Sequence, residues 1–142
     1  MSKSQVRAIV RERAVSVDRE ATIAEAITAV RECTPTDDGI SVYYVYVTDE
    51  NELVGVVSMR ELLNAVDDDP VSSIMTTELV TVRLTDPLQQ AVRQIIDTRF
   101  PVLPVVDETD RFVGVVTAND VIDALDEQTT KQLFKKAGLW MR

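Results

Sequence analysis

The 142-residue chain contains no histidine. That absence excludes Ser-His triads, histidine general bases and histidine-ligated metals together. A single cysteine, Cys33, excludes an intrachain disulfide. It fits a reducing compartment and reads as a small buried hydrophobe. Aromatic residues make up only 5%, so the core is expected from Val, Leu, Ile and Ala. No apolar run approaches the roughly 20 residues of a membrane-spanning helix, and no signal peptide opens the sequence. The chain therefore reads as a cytosolic unit. It also lacks a P-loop, a nucleophile–base pair and a cluster of nitrogen or sulfur metal ligands, which argues against an enzyme. Basic charge is scarce: 15 Lys and Arg stand against 24 Asp and Glu, for a net charge of −9. A nucleic-acid partner wants the opposite balance. Metal cations and basic partners stay open, beside the plainer account of a solvated acidic surface.

What is present is a repeat. Leu53-Val-Gly-Val-Val-Ser-Met-Arg-Glu-Leu-Leu63 returns as Phe112-Val-Gly-Val-Val-Thr-Ala-Asn-Asp-Val-Ile-Asp123. Gly55, Ser58 and Glu61 match Gly114, Thr117 and Asp120 at one offset of 59 residues. Each copy reads as a buried strand running into a helix, with Ser58 or Thr117 as the cap. The glycine lets another backbone or a ligand come close to the strand. The parts N-terminal to these strands match at an offset of 65 instead, as Val15 to Val80 and Ala26 to Ala91. The first copy thus carries six extra residues, placed in the loop around residues 35–41.

In chain order, residues 2–13 read as a short helix or leader, with Val6, Ile9 and Val10 at helical spacing. Residues 14–17 read as a strand. Thr22-x-x-Glu25 is a capping box for a helix presenting Ile23, Ala26, Ile27 and Val30. Residues 42–47 form a central strand, 49–52 a turn, 53–58 a strand and 59–66 a helix. The second copy repeats this: a helical turn at 71–75, a strand at 80–82, a helix capped by Asp86 with Pro87 first, strands at 102–106 and 112–116, and a helix over 118–127. Pro104 implies an edge strand or a bulge. The expected organisation is a leader (1–13), a first repeat (14–70), a second repeat (71–127) and a C-terminal connecting helix (128–142). Each repeat is β-α-β-β-α and too small to bury its sheet alone, so the two are expected to pack as one mixed α/β unit.

The doubled Gly-h-h-(Ser/Thr)-x-x-(Asp/Glu) signature, the Leu103-Pro-Val-Val-Asp107 run and the Ser73-Ile-Met-Thr76 link resemble a tandem CBS-domain pair. More narrowly, residues 42–49, 56–63 and 120–138 are similar to the cytosolic CBS region of MgtE-type magnesium transporters. That likeness implies a regulatory, non-catalytic region, a homodimer formed through the pair, and a tail leading to a transmembrane domain. It implies adenine-nucleotide binding (ATP or AMP) at Tyr43, Arg60, Glu61, Val80, Phe100 and Pro101. The residues themselves suggest the same chemistry. Glu61 or Asp120 can accept ribose hydroxyls, and Ser58 and Thr117 can meet phosphate at a helix start; at the positions the resemblance implies, Tyr43 and Phe100 would stack on the base. The same four residues at the two helix starts are equally the spacing of ordinary capping boxes.

Mg2+ is the second expected ligand. Asp120, Asp123 and Glu127 fall at i, i+3 and i+7 on one helix face, where a hydrated divalent cation relieves their repulsion. Where relatives carry acids, this chain has Lys131, Gln132, Arg99 and Gln89, and Arg99 or Lys131 can replace the ion by direct salt bridges. A soluble nucleotide-sensing CBS protein controlling another partner is the alternative expectation.

Overall fold

The computed structural model describes residues 5–33 and 44–125. They form two compact units. The first holds residues 13–33, 44–79 and 110–112; the second holds residues 5–12, 80–109 and 113–125.

The first unit is built on a three-stranded sheet of order β1-β2-β3. β1 (Ser16–Asp18) runs parallel to β2 (Tyr44–Asp49), and β2 pairs antiparallel with β3 (Glu52–Ser58). Glu50 and Asn51 both adopt positive φ, 50° and 74°, which makes the tight turn between β2 and β3. β2 bears the buried Val45 and Val47 because it is flanked on both sides. α1 (Ile23–Glu32) starts at Thr22, whose hydroxyl accepts the Glu25 amide while Glu25 reaches back to the Thr22 amide. Ile23 and Ala26 are its buried face. α2 (Met59–Asn64) follows β3 directly and buries Leu62. These side chains close a core with Val15, Val57 and Val71.

The second unit repeats the plan. β4 (Val82–Arg83) runs parallel to β5 (Val102–Val106), which neighbours β6 (Phe112–Thr117). α3 (Leu88–Thr98) presents Leu88, Ala91, Val92 and Ile95, and α4 (Ala118–Ala124) presents Val121 and Ile122. Their core also contains Val6, Val82, Leu103, Val105 and Val116. No helix among the described residues is long and apolar enough to cross a membrane.

Each unit is completed by a short segment that precedes the other repeat in sequence. A 3-10 turn at Val71–Ser73 donates the Val71 amide to the Ala21 carbonyl at 2.8 Å, and Thr76 then bridges Val56. A 3-10 turn at Val6–Ala8 donates the Val6 amide to Asp86 at 2.9 Å, and Arg11 bridges Val115. These are equivalent bonds: Val6 and Val71, Ala21 and Asp86, and Arg11 and Thr76 lie 65 residues apart, and the strand partners Val56 and Val115 lie 59 apart. Val6 and Val71 are both fully buried.

Three local expectations change. The described part of the leader, residues 5–13, holds a 3-10 turn between two strand-like bridges, Gln5 to Pro87 and Arg11 to Val115, the latter because Arg11 extends to share two backbone hydrogen bonds with Val115. Asp86 does not cap α3: its carboxylate accepts the Arg83 amide at 2.8 Å, and Pro87 takes the cap position. Pro104 lies in the middle strand, not at an edge. Its missing N–H is tolerated there because the β4 ladder begins only at Val105.

Candidate functional site

The repeated strand-to-helix junctions gather most of the residues singled out by sequence, and each unit holds its own share. In the first unit, β3 delivers Ser58 to the start of α2. The Ser58 hydroxyl accepts the Glu61 amide at 3.1 Å, and Glu61 Oε1 accepts the Ser58 amide at 2.8 Å. Both bonds are exposed to solvent. Arg60 follows on the exposed surface of the same turn. Tyr43 lies outside the described residues.

In the second unit, β6 delivers Thr117 to the start of α4. Thr117 is buried, and its hydroxyl accepts the Asp120 amide at 3.1 Å. The Pro101 carbonyl accepts the Ala118 amide at 3.0 Å, which fixes the Phe100–Pro101 turn beside this helix start. Phe100 is 43% exposed, an unusual position for a large aromatic ring. Val80 packs half-buried against the core of this unit. The structure thus brings Pro101, Thr117 and Asp120 together locally, and Ser58, Arg60 and Glu61 together locally.

The two carboxylates behave differently. Glu61 folds back on its own helix cap. Asp120 leaves its cap half-made and turns to Arg11: the Arg11 guanidinium donates from Nε to Oδ2 and from Nη2 to Oδ1, the latter at 3.0 Å. This two-pronged pair is partly buried, with 34% of the Arg11 and 18% of the Asp120 side chain exposed. Fork-shaped Arg–carboxylate pairs are among the stronger polar contacts of a protein. Beside the pair lies an open groove of about 390 Å³, bordered by residues 8–11, Asp120, Asp123 and Ala124.

Sequence reasoning named Arg99 and Lys131 as cations for the acidic face; among the described residues the cation on Asp120 is Arg11, and Lys131 lies outside them. The signal was available, since the 65-residue offset aligns Arg11 with Thr76. Using it required knowing that residues 5–12 join the second unit. Of the expected Mg2+ ligands, Asp120 is engaged by Arg11, Asp123 is exposed on α4 and Glu127 lies outside the described residues. Among the described residues no three acidic or thiol side chains converge as a metal cluster. Elsewhere, burial and then the neighbouring Tyr44 push the Tyr46 phenol well above its ordinary range. Tyr46 stacks on Phe112 with ring centroids 5.1 Å apart.

The chain resembles proteins of known structure and role. It is 38% identical over 122 residues to the magnesium transporter MgtE of Thermus thermophilus, covering 85% of this chain and 27% of the transporter. The cytosolic domain of the Mg2+ channel MgtE, solved in complex with ATP, superposes with a TM-score of 0.79 at 35% identity. That match covers 87% of this chain and 49% of the other. CBSX2, solved in complex with AMP, gives a TM-score of 0.66 at 26% identity, covering 84% of this chain and 94% of the other. The chain spans about a quarter of the length of the curated transporters it matches. The CBS domain model fits residues 6–68 and again 71–127. With the doubled β-α-β-β-α plan, its two three-stranded sheets and this double match, the chain belongs to the CBS-domain family, as a tandem pair similar to the MgtE cytosolic region.

Proposed function

We propose that this CBS pair is the cytosolic regulatory region of an MgtE-type magnesium transporter, non-catalytic and dimeric, in which adenine nucleotide and Mg2+ bias gating. The observation that carries the reading is the likeness, over most of the chain, to the MgtE cytosolic domain solved with ATP. The residues agree with that chemistry. In the first unit Glu61 offers a ribose acceptor held by a solvent-exposed amide bond and Arg60 stands next to it for phosphate; in the second unit Phe100 presents an exposed ring for a base. Ser58 in the first unit, Val80, Pro101, Thr117 and Asp120 in the second and, from outside the described residues, Tyr43 complete the proposed nucleotide set.

Mg2+ at Asp120, Asp123 and Glu127 requires Arg11 to release Asp120, so ion binding there would compete with a resident guanidinium. That favours weak ion affinity and places nucleotide first among the proposed ligands. A bound ligand regulates by favouring one arrangement of the protein over another, to the extent of its differential affinity. The second reading, a free-standing nucleotide-sensing CBS protein for another partner, draws on the likeness to CBSX2 with AMP. Calorimetry with ATP, AMP and Mg2+ tests both. Nucleotide binding together with millimolar Mg2+ binding is the expected result. Nucleotide without Mg2+ favours the second reading, and neither ligand binding refutes both.

A further inference from the structure

Arg11 and Thr76 hold equivalent places in the two units, one offset of 65 residues apart. Each forms a reciprocal backbone bridge to the strand residue after the glycine. Thr76 exchanges bonds of 2.9 and 3.1 Å with Val56, and Arg11 exchanges bonds of 2.7 and 2.8 Å with Val115. The backbone frame is therefore the same, and the side chain is what differs. On that frame Arg11 reaches the Asp120 carboxylate with two N–H groups. In the first unit the corresponding Glu61 carboxylate instead accepts the Ser58 amide.

We propose that Arg11 closes the second unit to nucleotide, so that the chain takes up one equivalent of adenine nucleotide, at Glu61, rather than two. This deepens the nucleotide reading above and rests on it. A ribose diol binds by donating hydroxyl hydrogens to a carboxylate. At Glu61 the incoming hydroxyls displace one solvent-exposed amide bond, which water can replace. At Asp120 they must displace a forked, charge-assisted pair, the costlier exchange. Arg11 cannot withdraw with its backbone, since the bridge to Val115 and the close approach to Gly114 hold it. The 390 Å³ groove alongside leaves room next to Asp120, so closure is by occupation of the carboxylate and not by bulk.

Titration of ATP, and separately AMP, into the chain and into Arg11→Thr tests this, with circular dichroism melts to confirm folding. Arg11→Thr installs the first unit's residue; Arg11→Gln replaces it should the threonine variant not fold, and Arg11→Lys retains the charge. One equivalent for the unaltered chain and for Arg11→Lys, and two for Arg11→Thr, is the expected result. Two equivalents in the unaltered chain, or one in both it and Arg11→Thr, overturns the role of Arg11 and leaves the nucleotide reading standing. No binding to the unaltered chain with one equivalent gained in Arg11→Thr sinks the nucleotide reading while supporting the closure by Arg11. No binding to either overturns both.

Discussion

Gly55 and Gly114 sit at the same point of the repeat, yet they face different neighbours. A Cβ on Gly55 would meet the Met75 side chain, with Sδ at 2.5 Å and Cγ at 2.8 Å. A Cβ on Gly114 would run into the Arg11 carbonyl oxygen and stand 2.9 Å from its carbon and 3.0 Å from the Glu12 Cα. One glycine makes room for a flexible thioether, the other for a backbone. The same division separates Glu61, bound to its own cap, from Asp120, bound to Arg11. A duplicated frame thus keeps its backbone bonds while the segment laid across each strand decides what the helix start can do.

The sharpest way to break this comparison is an alanine at each glycine. Gly114→Ala should cost about 3 kcal/mol or more, because backbone must shift and the Arg11–Val115 bridge shifts with it. Gly55→Ala should cost about 1 kcal/mol, since a methionine can change rotamer. Adding Met75→Ala to Gly55→Ala should relieve the overlap, giving a double-variant cost below the sum of the two singles. Urea midpoints read all four proteins. Equal losses at the two glycines would show that the backbone approach at Gly114 is not the tighter one.

A smaller contrast lies at the first helix of each unit. Thr22 caps α1 through a reciprocal box with Glu25, while Pro87 stands at the same place before α3 with no side-chain cap. Thr22→Ala should therefore lose about 1 kcal/mol. Pro87→Ala removes no hydrogen bond and should lose less, the change coming from a freer unfolded chain. Thermal melts of the two variants under one buffer decide it. A larger loss at Pro87 would mean that ring packing, not capping, sets the stability of that helix start.

Much of the fold was legible because local signals agreed with the repeat. Thr22-x-x-Glu25 and Ser58-x-x-Glu61 announced two helix starts that are found as full capping boxes. The Ile23, Ala26 and Leu88, Ala91 pairs announced the buried faces. What was not legible depended on long-range pairing. Asp86 carried the chemistry of a cap, but Arg83 offered a nearer amide. Pro104 looked like a marker of an edge or a bulge; the edge reading fails because β5 is the middle strand, and its tolerance depends on where β4 begins to pair. Arg11 was not read as a site residue because the repeat offset aligns it with Thr76 without showing that residues 5–12 join the second unit, 109 positions from Asp120. Periodicity reports which face of an element is buried, not which distant segment covers it.

The finest test uses a position where one unit titrates and the other has nothing to titrate. Tyr46 in β2 is 3% exposed, and the pairing of β2 with β1 and of β5 with β4 places the buried Pro104 at its counterpart in β5. Burial, then Tyr44, raises the Tyr46 phenol in the folded state. A raised folded value means that the native state keeps a proton which the unfolded chain releases above about pH 10. Its contribution is therefore fully present below about pH 10 and is lost as pH climbs, at a slope of no more than about 1.4 kcal/mol per pH unit. Tyr46→Phe should leave the slope between pH 7 and 9 unchanged and flatten the decline above pH 10. Hydrogen-exchange protection followed across that range should fall first at β2, which carries Tyr46, and at its neighbours β1 and β3, before β5. Simultaneous loss in both units, unchanged by Tyr46→Phe, would show that alkaline unfolding starts from some other group and that the two cores open as one.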